Sequence, residues 1–253
     1  VVARKTEEVQ GLREDVARGV DLTFFRELNG GIYFGERKRD PDNQWASDLS
    51  TYHRHEIERI ARSAMLHARA KGQKVTSVDK ANVLDSTGLF WRETVSALHR
   101  AEFSDVTLEH CLVDAFNLYL FTRPSSFRIV LTENLFGDIL SDGAAGVAGS
   151  MGLLPSASIN PENGYGLYEP SGGSAPDIAG QDKANPIAMI LSVALMFRYS
   201  FKDEVAAQSI EAAVEGALQR GLRTRDLLAG VVSGARPIGT REMAGEILKG
   251  LRG

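Results

Sequence analysis

The stretch FRIVLTENLFGDILSDGAAGVA, residues 127–148, predicts a strand that leads directly into a helix. Residues 127–131 are apolar apart from Arg128 and predict a strand, and residues 134–148 predict a helix. Strands that alternate with helices are typical of an α/β fold, in which helices cover a parallel or mixed sheet. The same order is predicted twice upstream, for the strand and helix over 74–78 and 90–100 and for those over 106–111 and 113–121.

The flanking sequence predicts the remaining elements and a domain boundary. Charged residues 37–43 indicate an exposed arm or loop. Residues 149–180 are rich in Gly, Pro and Ser and indicate a long loop, which in a compact protein is usually functional. The change in composition there predicts two domains, 1–148 and 149–253. The other predicted elements are a short helix before Val20, strands over 20–25 and 32–35, and helices over 55–70, 186–199, 204–220 and 241–251.

The bulk composition excludes several classes of partner. The 253 residues are 43% hydrophobic and 25% charged, which is typical of a globular protein. A net charge of −4 gives no electrostatic reason to expect nucleic acid or a membrane surface as a partner. No apolar run is long enough to span a bilayer. Because Cys111 is the only cysteine, no internal disulfide can form, and a cytoplasmic location is expected.

Two carboxylates in the predicted helix over 134–148 suggest a metal site. Asp138 and Asp142 are four residues apart, so their side chains share one helix face. Paired carboxylates suit a hard cation such as Mg²⁺ or Mn²⁺, although spacing alone favours a solvated acidic face. The apolar neighbours favour a largely buried helix and so a metal site; they are Leu135, Phe136, Ile139 and Leu140.

Lys80 and Asp114 each follow a predicted strand. A lysine at the end of a strand, partly buried beside a cation, can act as a base. The alternative is a surface lysine paired with Asp79. Asp114 begins a predicted helix, where capping is the commoner role for an aspartate.

Two residues of the turn after the first predicted strand are candidates for handling a substrate. Arg26 can hold a carboxylate through two N–H groups, and its alternative is an ion pair with Glu27 or another neighbour. Tyr33 can give a phenolic proton to a reacting carbon, and its alternative is an aromatic anchor for the turn.

The loop over 169–177 is a candidate cofactor site. Small residues at Gly173, Ser174 and Ala175 let backbone amides approach a phosphate closely. Asp177 can accept hydrogen bonds from a ribose hydroxyl. The sequence contains no GxGxxG motif, so a nicotinamide cofactor would not bind by the Rossmann route. The alternative is an ordinary loop.

Four stretches together resemble the isocitrate and isopropylmalate dehydrogenase family of β-decarboxylating enzymes. The resemblance covers essentially the whole chain and implies this family's two-domain, non-Rossmann α/β fold, with the N-terminal part of the first domain absent. Residues 149–158 and 167–170 resemble the isopropylmalate branch most. The four stretches are 26–35, 78–83, 134–142 and 173–180, the last with 184–186.

The resemblance implies oxidation at C2 by NAD⁺, loss of CO₂ and protonation of an enol, as in the conversion of 3-isopropylmalate to 4-methyl-2-oxopentanoate in leucine biosynthesis. Lys80 matches the residue that handles the hydroxyl proton, and Tyr33 the one that protonates the enol carbon. The implied metal ligands are Asp114, Asp138 and Asp142.

Binding roles are implied in the same way. Arg26 matches a substrate-carboxylate arginine, and Val83 an apolar contact for the isopropyl group. Residues 1–148 would handle substrate, metal and dimerisation, and residues 149–253 would form part of the cofactor domain. The implied cofactor residues are Asn82 at the nicotinamide, Gly173, Ser174, Ala175 and Asp177 at the phosphate and ribose, and Asn185 at the adenine.

Two departures and one assembly are expected from the resemblance. Gly172 stands where many relatives have a histidine. The family's first segment, with a substrate-binding arginine cluster, is expected to be missing, so this chain alone should have little or no activity. Lys80 and Asp114 should reach the partner's site in a homodimer with shared active sites. The alternatives are an isocitrate, homoisocitrate or tartrate dehydrogenase, or a catalytically dead dimerisation or regulatory chain.

Overall fold

A computed structural model of the chain describes residues 1–4, 16, 18–228 and 234–251. The helix predicted before Val20 falls mostly outside the described residues. The strands are β1 (Val2–Arg4), β2 (Asp21–Arg26), β3 (Arg37–Arg39), β4 (Ala46–Asp48), β5 (Val75–Asp79), β6 (Leu108–Leu112), β7 (Ile129–Thr132), β8 (Pro155–Ile159), β9 (Gly166–Pro170), β10 (Leu222–Arg223) and β11 (Arg236–Pro237). The α-helices are α1 (Arg54–Lys71), α2 (Thr87–Glu102), α3 (Val113–Thr122), α4 (Asn134–Ala148), α5 (Ile187–Tyr199), α6 (Glu204–Gln219) and α7 (Thr240–Gly250).

Contacts divide the chain into two compact units. One comprises 22–122 and 126–141, and the other comprises 1–21, 123–125 and 142–253. The chain passes from the first unit to the second within α4. The domain boundary after Ala148 stays a prediction.

The unit of residues 22–122 and 126–141 is built on parallel strands in the order β2-β7-β5-β6. Every residue of β5 and β7 is buried. Burial explains the apolar run of β7, whereas β5 also buries Thr76, Ser77 and Asp79. The carboxyl ends of all four strands lie at one edge of the sheet, because the pairing is parallel throughout. Side chains that follow β2, β5, β6 and β7 are therefore gathered at that edge.

Helix α1 covers this sheet with an apolar stripe. Its buried side chains recur at helical spacing and pack with Trp91 of α2 and with the central strands. Gly72 ends the helix in the left-handed conformation, with φ of +61°, as the sequence predicts. The stripe consists of Ile57, Ala61, Ala64, Met65 and Ala68.

The second unit contains α5, α6 and α7 and an antiparallel hairpin of β8 and β9. Its core includes Ile187, Val214 and Met243, one from each helix. Asp203 caps α6 by accepting a hydrogen bond from the amide of Ala206 at 2.9 Å. The three predicted C-terminal helices are confirmed.

One local prediction is wrong and two are incomplete. Residues 32–35 form a turn instead of a strand, because Gly31 adopts φ of +81° and redirects the chain. Residues 37–39 pair with 46–48 as a hairpin that reverses at Asn43, where φ is +56°. The long segment 149–180 contains the β8–β9 hairpin and is not wholly irregular.

None of the helices in the described part of the chain is long and apolar enough to cross a membrane.

Candidate active site

Arg26 and Tyr33 contact the same carboxylate. Arg26 ends β2, and Asp138 lies one turn into α4, which follows the neighbouring strand β7. Arg26 Nη1 donates to Asp138 Oδ1 at 2.5 Å, and the Tyr33 hydroxyl donates to Oδ2 at 2.7 Å. The guanidinium also lies 5.6 Å from the centre of the Tyr33 ring. A cation, a phenol and a carboxylate thus meet at the edge of the sheet where α/β folds place ligands.

The phenol of Tyr33 is held in its protonated form. Its hydrogen bond to Asp138, together with partial burial, raises its pKa above the ordinary value of 10.0, while the charge of Arg26 acts in the opposite direction. At neutral pH Tyr33, an exposed residue, therefore carries a proton on its phenolic oxygen.

Arg26 is fixed by a second residue of the same helix. Asn134 Oδ1 accepts hydrogen bonds from Arg26 Nε at 2.9 Å and from Nη2 at 2.7 Å. The ion pair with Glu27 that was the alternative for Arg26 is not formed, because Glu27 is buried and binds Arg59 at 2.9 Å. The guanidinium consequently reaches Asp138 with its remaining nitrogen.

Lys80 pairs with Asp114 at the ends of two adjacent strands. Lys80 follows β5 and Asp114 lies in the first turn of α3, directly after β6. The distance from Lys80 Nζ to Asp114 Oδ1 is 2.5 Å. The ammonium group lowers the pKa of the Asp114 carboxyl through this hydrogen bond. Asp114 is well exposed, so the pair faces solvent.

Asp79 is occupied by a different cation. It is 2% exposed, and Arg92 binds both of its oxygens at 2.8 and 2.9 Å. The alternative pairing of Lys80 with Asp79 is therefore wrong. Asp79 also accepts a hydrogen bond from the amide of Ala81 at 3.0 Å, which fixes the turn that carries Lys80. Asn82 and Val83 are exposed on this turn.

The three aspartates fit a hard divalent cation by their chemistry. They offer only oxygen, which Mg²⁺ and Mn²⁺ prefer, and Asp114 and Asp142 are exposed while Asp138 is half-buried. Among the described residues of a single chain, no three or more His, Cys, Asp or Glu side chains lie close enough together to hold a metal ion. The chain by itself brings Asp138 to Arg26 and Tyr33, and Asp114 to Lys80.

The predicted cofactor loop lies in the second unit. Gly173, Ser174, Ala175 and Asp177 are exposed, and Ala175 adopts a left-handed conformation with φ of +42°. A side chain added at Gly173 would meet nothing within 4 Å, so its backbone is open to a close approach.

Asn185 is oriented by three contacts that spacing did not indicate. Its Nδ2 donates to Asp226 Oδ2 at 3.0 Å, and its Oδ1 accepts from the amide of Ile187 at 3.0 Å. Gly152 leaves room for it, since a Cβ there would lie 2.6 Å from Asn185 Cβ. Asp226 also accepts a hydrogen bond from the Ser150 hydroxyl.

The most informative residue missed from the sequence is Asn134. It stands at the start of a helix that follows a strand, which is a signal for a polar role at the sheet edge. Tyr52 and Glu133, which hydrogen-bond to each other at 2.8 Å behind it, gave no comparable signal.

Comparison with known proteins agrees with this arrangement. A family model described as isocitrate/isopropylmalate dehydrogenase matches residues 1–247. The chain is 52% identical over 236 residues to the 3-isopropylmalate dehydrogenase of Haemophilus influenzae and 53% identical over 241 residues to that of Escherichia coli K12. These matches cover 92% and 94% of the chain but 64% of each relative, so the chain spans under two thirds of their length.

A solved structure gives the same result for the fold. The crystal structure of isocitrate dehydrogenase from Methylococcus capsulatus matches with a TM-score of 0.89 and 35% sequence identity. It covers 100% of this chain and 72% of that protein. Since the family model spans nearly all of the sequence and the fold agrees, the chain belongs to the isocitrate/isopropylmalate dehydrogenase family.

Proposed function

We propose that the protein containing this chain carries out the NAD-dependent oxidative decarboxylation of 3-isopropylmalate in the cytoplasm, as a step of leucine biosynthesis. The observation that carries the proposal is the single carboxylate of Asp138, contacted at once by the cation of Arg26 and the phenol of Tyr33. The relatives that are about half identical and are named 3-isopropylmalate dehydrogenase support this choice of substrate.

Three side chains of this chain carry the proposed chemistry. Arg26 binds a substrate carboxylate through its guanidinium. Lys80 Nζ, in its uncharged amine form, takes the proton of the C2 hydroxyl, and the nearby Asp114 carboxylate stabilises the resulting ammonium. The Tyr33 hydroxyl delivers its proton to the carbon from which CO₂ has left, and its raised pKa keeps that proton available.

The metal ion and the nicotinamide cofactor would each bind to a specific set of residues. Asp114, Asp138 and Asp142 would hold Mg²⁺ or Mn²⁺, which when bound supplies a Lewis acid for a hydroxyl and a carboxylate oxygen. The nucleotide would occupy Asn82, Gly173, Ser174, Ala175, Asp177 and Asn185, and NAD⁺ supplies the hydride acceptor.

We further propose a homodimer with shared active sites, in which Lys80 and Asp114 serve the partner. The support is that, within one chain, two of the proposed metal ligands have different partners. Asp138 binds Arg26 and Tyr33, and Asp114 binds Lys80. The described residues of one chain also form no three-residue metal site. Two inactive variants of the full-length protein, Lys80→Ala and Asp142→Ala, should regain activity when mixed, because hybrid dimers restore one intact site. No recovery after verified subunit exchange would refute the shared site.

Substrate and coenzyme assays test the proposed reaction. NADH formation by the full-length protein with Mn²⁺ should be fastest on 3-isopropylmalate among this substrate, isocitrate, homoisocitrate and tartrate. Val83 favours the apolar substrate because this apolar residue is 62% exposed and lies three residues after Lys80. Faster turnover of isocitrate would overturn the substrate assignment, and no turnover of any of the four would favour a dimerisation or regulatory chain. Activity of the 253 residues alone would contradict our expectation that they are insufficient.

A further inference from the structure

Asn134 is buried between two parts of the candidate site. Its side chain is 2% exposed, and both ends of its amide are used. Oδ1 accepts from two nitrogens of Arg26, at 2.9 and 2.7 Å, and Nδ2 donates to the carbonyl of Gly30 at 3.1 Å. We infer that Asn134 is a positioning residue that holds Arg26 and the turn leading to Tyr33 in a fixed relation to each other.

The contacts to Arg26 decide where its charge points. Because Asn134 Oδ1 binds Nε and Nη2, the guanidinium cannot rotate about its stem, and Nη1 is directed at Asp138. A free arginine has several rotatable bonds and loses much of this orientation. Removing the amide oxygen therefore releases the arginine without removing it.

The contact to Gly30 decides where the turn lies. The carbonyl of Gly30 is held by Asn134, and the amide of the next residue, Gly31, donates to Thr51 at 2.9 Å. Tyr33 follows two residues later and reaches Asp138 at 2.7 Å. Since the turn also lies tightly against Tyr52, a displacement of Gly30 changes the direction of the Tyr33 side chain.

Asn134 itself is fixed from behind. Its backbone amide donates to the Tyr52 hydroxyl at 2.9 Å, and that hydroxyl donates to Glu133 at 2.8 Å. Burial and the charge of Glu133 raise the pKa of Tyr52, so the hydroxyl remains a donor at all ordinary pH values. The amide between Arg26 and Gly30 is thus part of a connected set of buried and part-buried hydrogen bonds.

This inference rests on the proposed roles of Arg26 and Tyr33. A double-mutant cycle distinguishes failure of the inference from failure of the proposed function. In the full-length protein, Asn134→Asp keeps an oxygen for Arg26 but replaces the donor to Gly30 with a repelling oxygen. We expect kcat to fall by about tenfold while KM for 3-isopropylmalate changes by less than about threefold. Adding Asn134→Asp to Tyr33→Phe should lower kcat no further, because both changes remove the same proton delivery.

Three outcomes are informative. If Tyr33→Phe is slow and Asn134→Asp is not, or if the two losses multiply in the double variant, the inference is overturned. If the parent protein turns over no hydroxy-diacid, or if the Tyr33→Phe protein turns it over as fast as the parent, the proposed function fails instead. Asn163→Asp, a matched change on the exposed β8–β9 turn, should leave kcat and KM unchanged.

A second variant covers loss of folding. Asn134→Ser removes both contacts without adding charge, so KM should rise about tenfold in addition to the loss in kcat. Circular dichroism before each assay confirms a folded sample. An Asn134→Ser protein with parental KM and kcat would equally overturn the inference.

Discussion

Gly137 provides the space that the side chain of Arg26 occupies. A Cβ built on Gly137 would lie 2.6 Å from Cγ of Arg26 and 2.9 Å from its Cβ and Cδ. The aliphatic stem of Arg26 thus crosses the surface of α4 at Gly137, which is the only residue without a side chain in that turn of the helix. We expect Gly137→Ala to displace Arg26 from Asp138 and to raise KM for the diacid on the order of tenfold.

Steady-state kinetics of the Gly137→Ala protein check this expectation. Gly245→Ala is the matched control, because a Cβ at that helical position meets nothing within 4 Å. The control should retain the parental KM and gain up to about 1 kcal/mol of stability from helix propensity. An unchanged KM in the Gly137 variant would mean that the arginine stem can shift without consequence.

Replacing Tyr33 with Phe removes the phenolic proton that Tyr33 donates to Asp138. We expect kcat to fall by roughly 10²-fold or more, with thermal stability close to that of the parent, because the Tyr33 side chain is exposed. Product analysis by chromatography and a melting curve check the two parts. A kcat within about twofold of the parent would remove Tyr33 from the mechanism.

His110 should make stability depend on pH. Burial, followed by the charge of Arg92, lowers the pKa of its ring below the ordinary value of 6.5. The unfolded chain then binds a proton more readily than the folded chain, so stability is complete above pH 6.5 and is lost as pH falls towards the folded pKa. The loss cannot exceed about 1.4 kcal/mol per pH unit for one proton.

Urea unfolding at about pH 7.5 and about pH 5.5 measures this dependence. A His110→Gln protein should lose less stability than the parent between the two values, because glutamine does not titrate. His55→Gln, at an exposed position on α1, should retain the parental dependence. Equal pH dependence in all three proteins would assign the effect to other groups.

Asp177 should determine the coenzyme. An acidic side chain accepts hydrogen bonds from a ribose 2′-hydroxyl and repels a 2′-phosphate. We expect Asp177→Arg to lower kcat/KM for NAD⁺ by about tenfold or more and to raise it for NADP⁺. Glu162→Arg, the same charge change on the exposed β8–β9 turn, should alter neither value, and parental selectivity in the Asp177 variant would place the ribose elsewhere.

The sequence predicts the regular part of the fold well, for a physical reason. Strands β5 and β7 are buried on both sides and α1 has one apolar stripe, so burial and periodicity agree. The two strands of the β3–β4 hairpin consist only of exposed residues, so this hairpin lacks the signal. The β8–β9 hairpin was hidden by the glycines and prolines around it.

The site was predictable only where each residue is informative alone. Arg26, Tyr33 and Asp138 were candidates by type and position, and the structure brings them together. Asn134 was not, because its importance depends on Arg26, which lies 108 residues away in the chain. The choice of Asp114 as the partner of Lys80 likewise follows from pairings between strands that spacing cannot reveal.

The two aspartates near Lys80 differ in what already binds them. Asp79 binds Arg92 and not Lys80. The two N–H groups of Arg92 match both oxygens of the Asp79 carboxylate, which favours the arginine. The two cations at this strand end therefore bind different carboxylates, Arg92 the buried Asp79 and Lys80 the exposed Asp114. Loss of Arg92 would leave an unsatisfied buried charge that attracts Lys80, and a substitution outside the candidate site would thereby withdraw its proposed base.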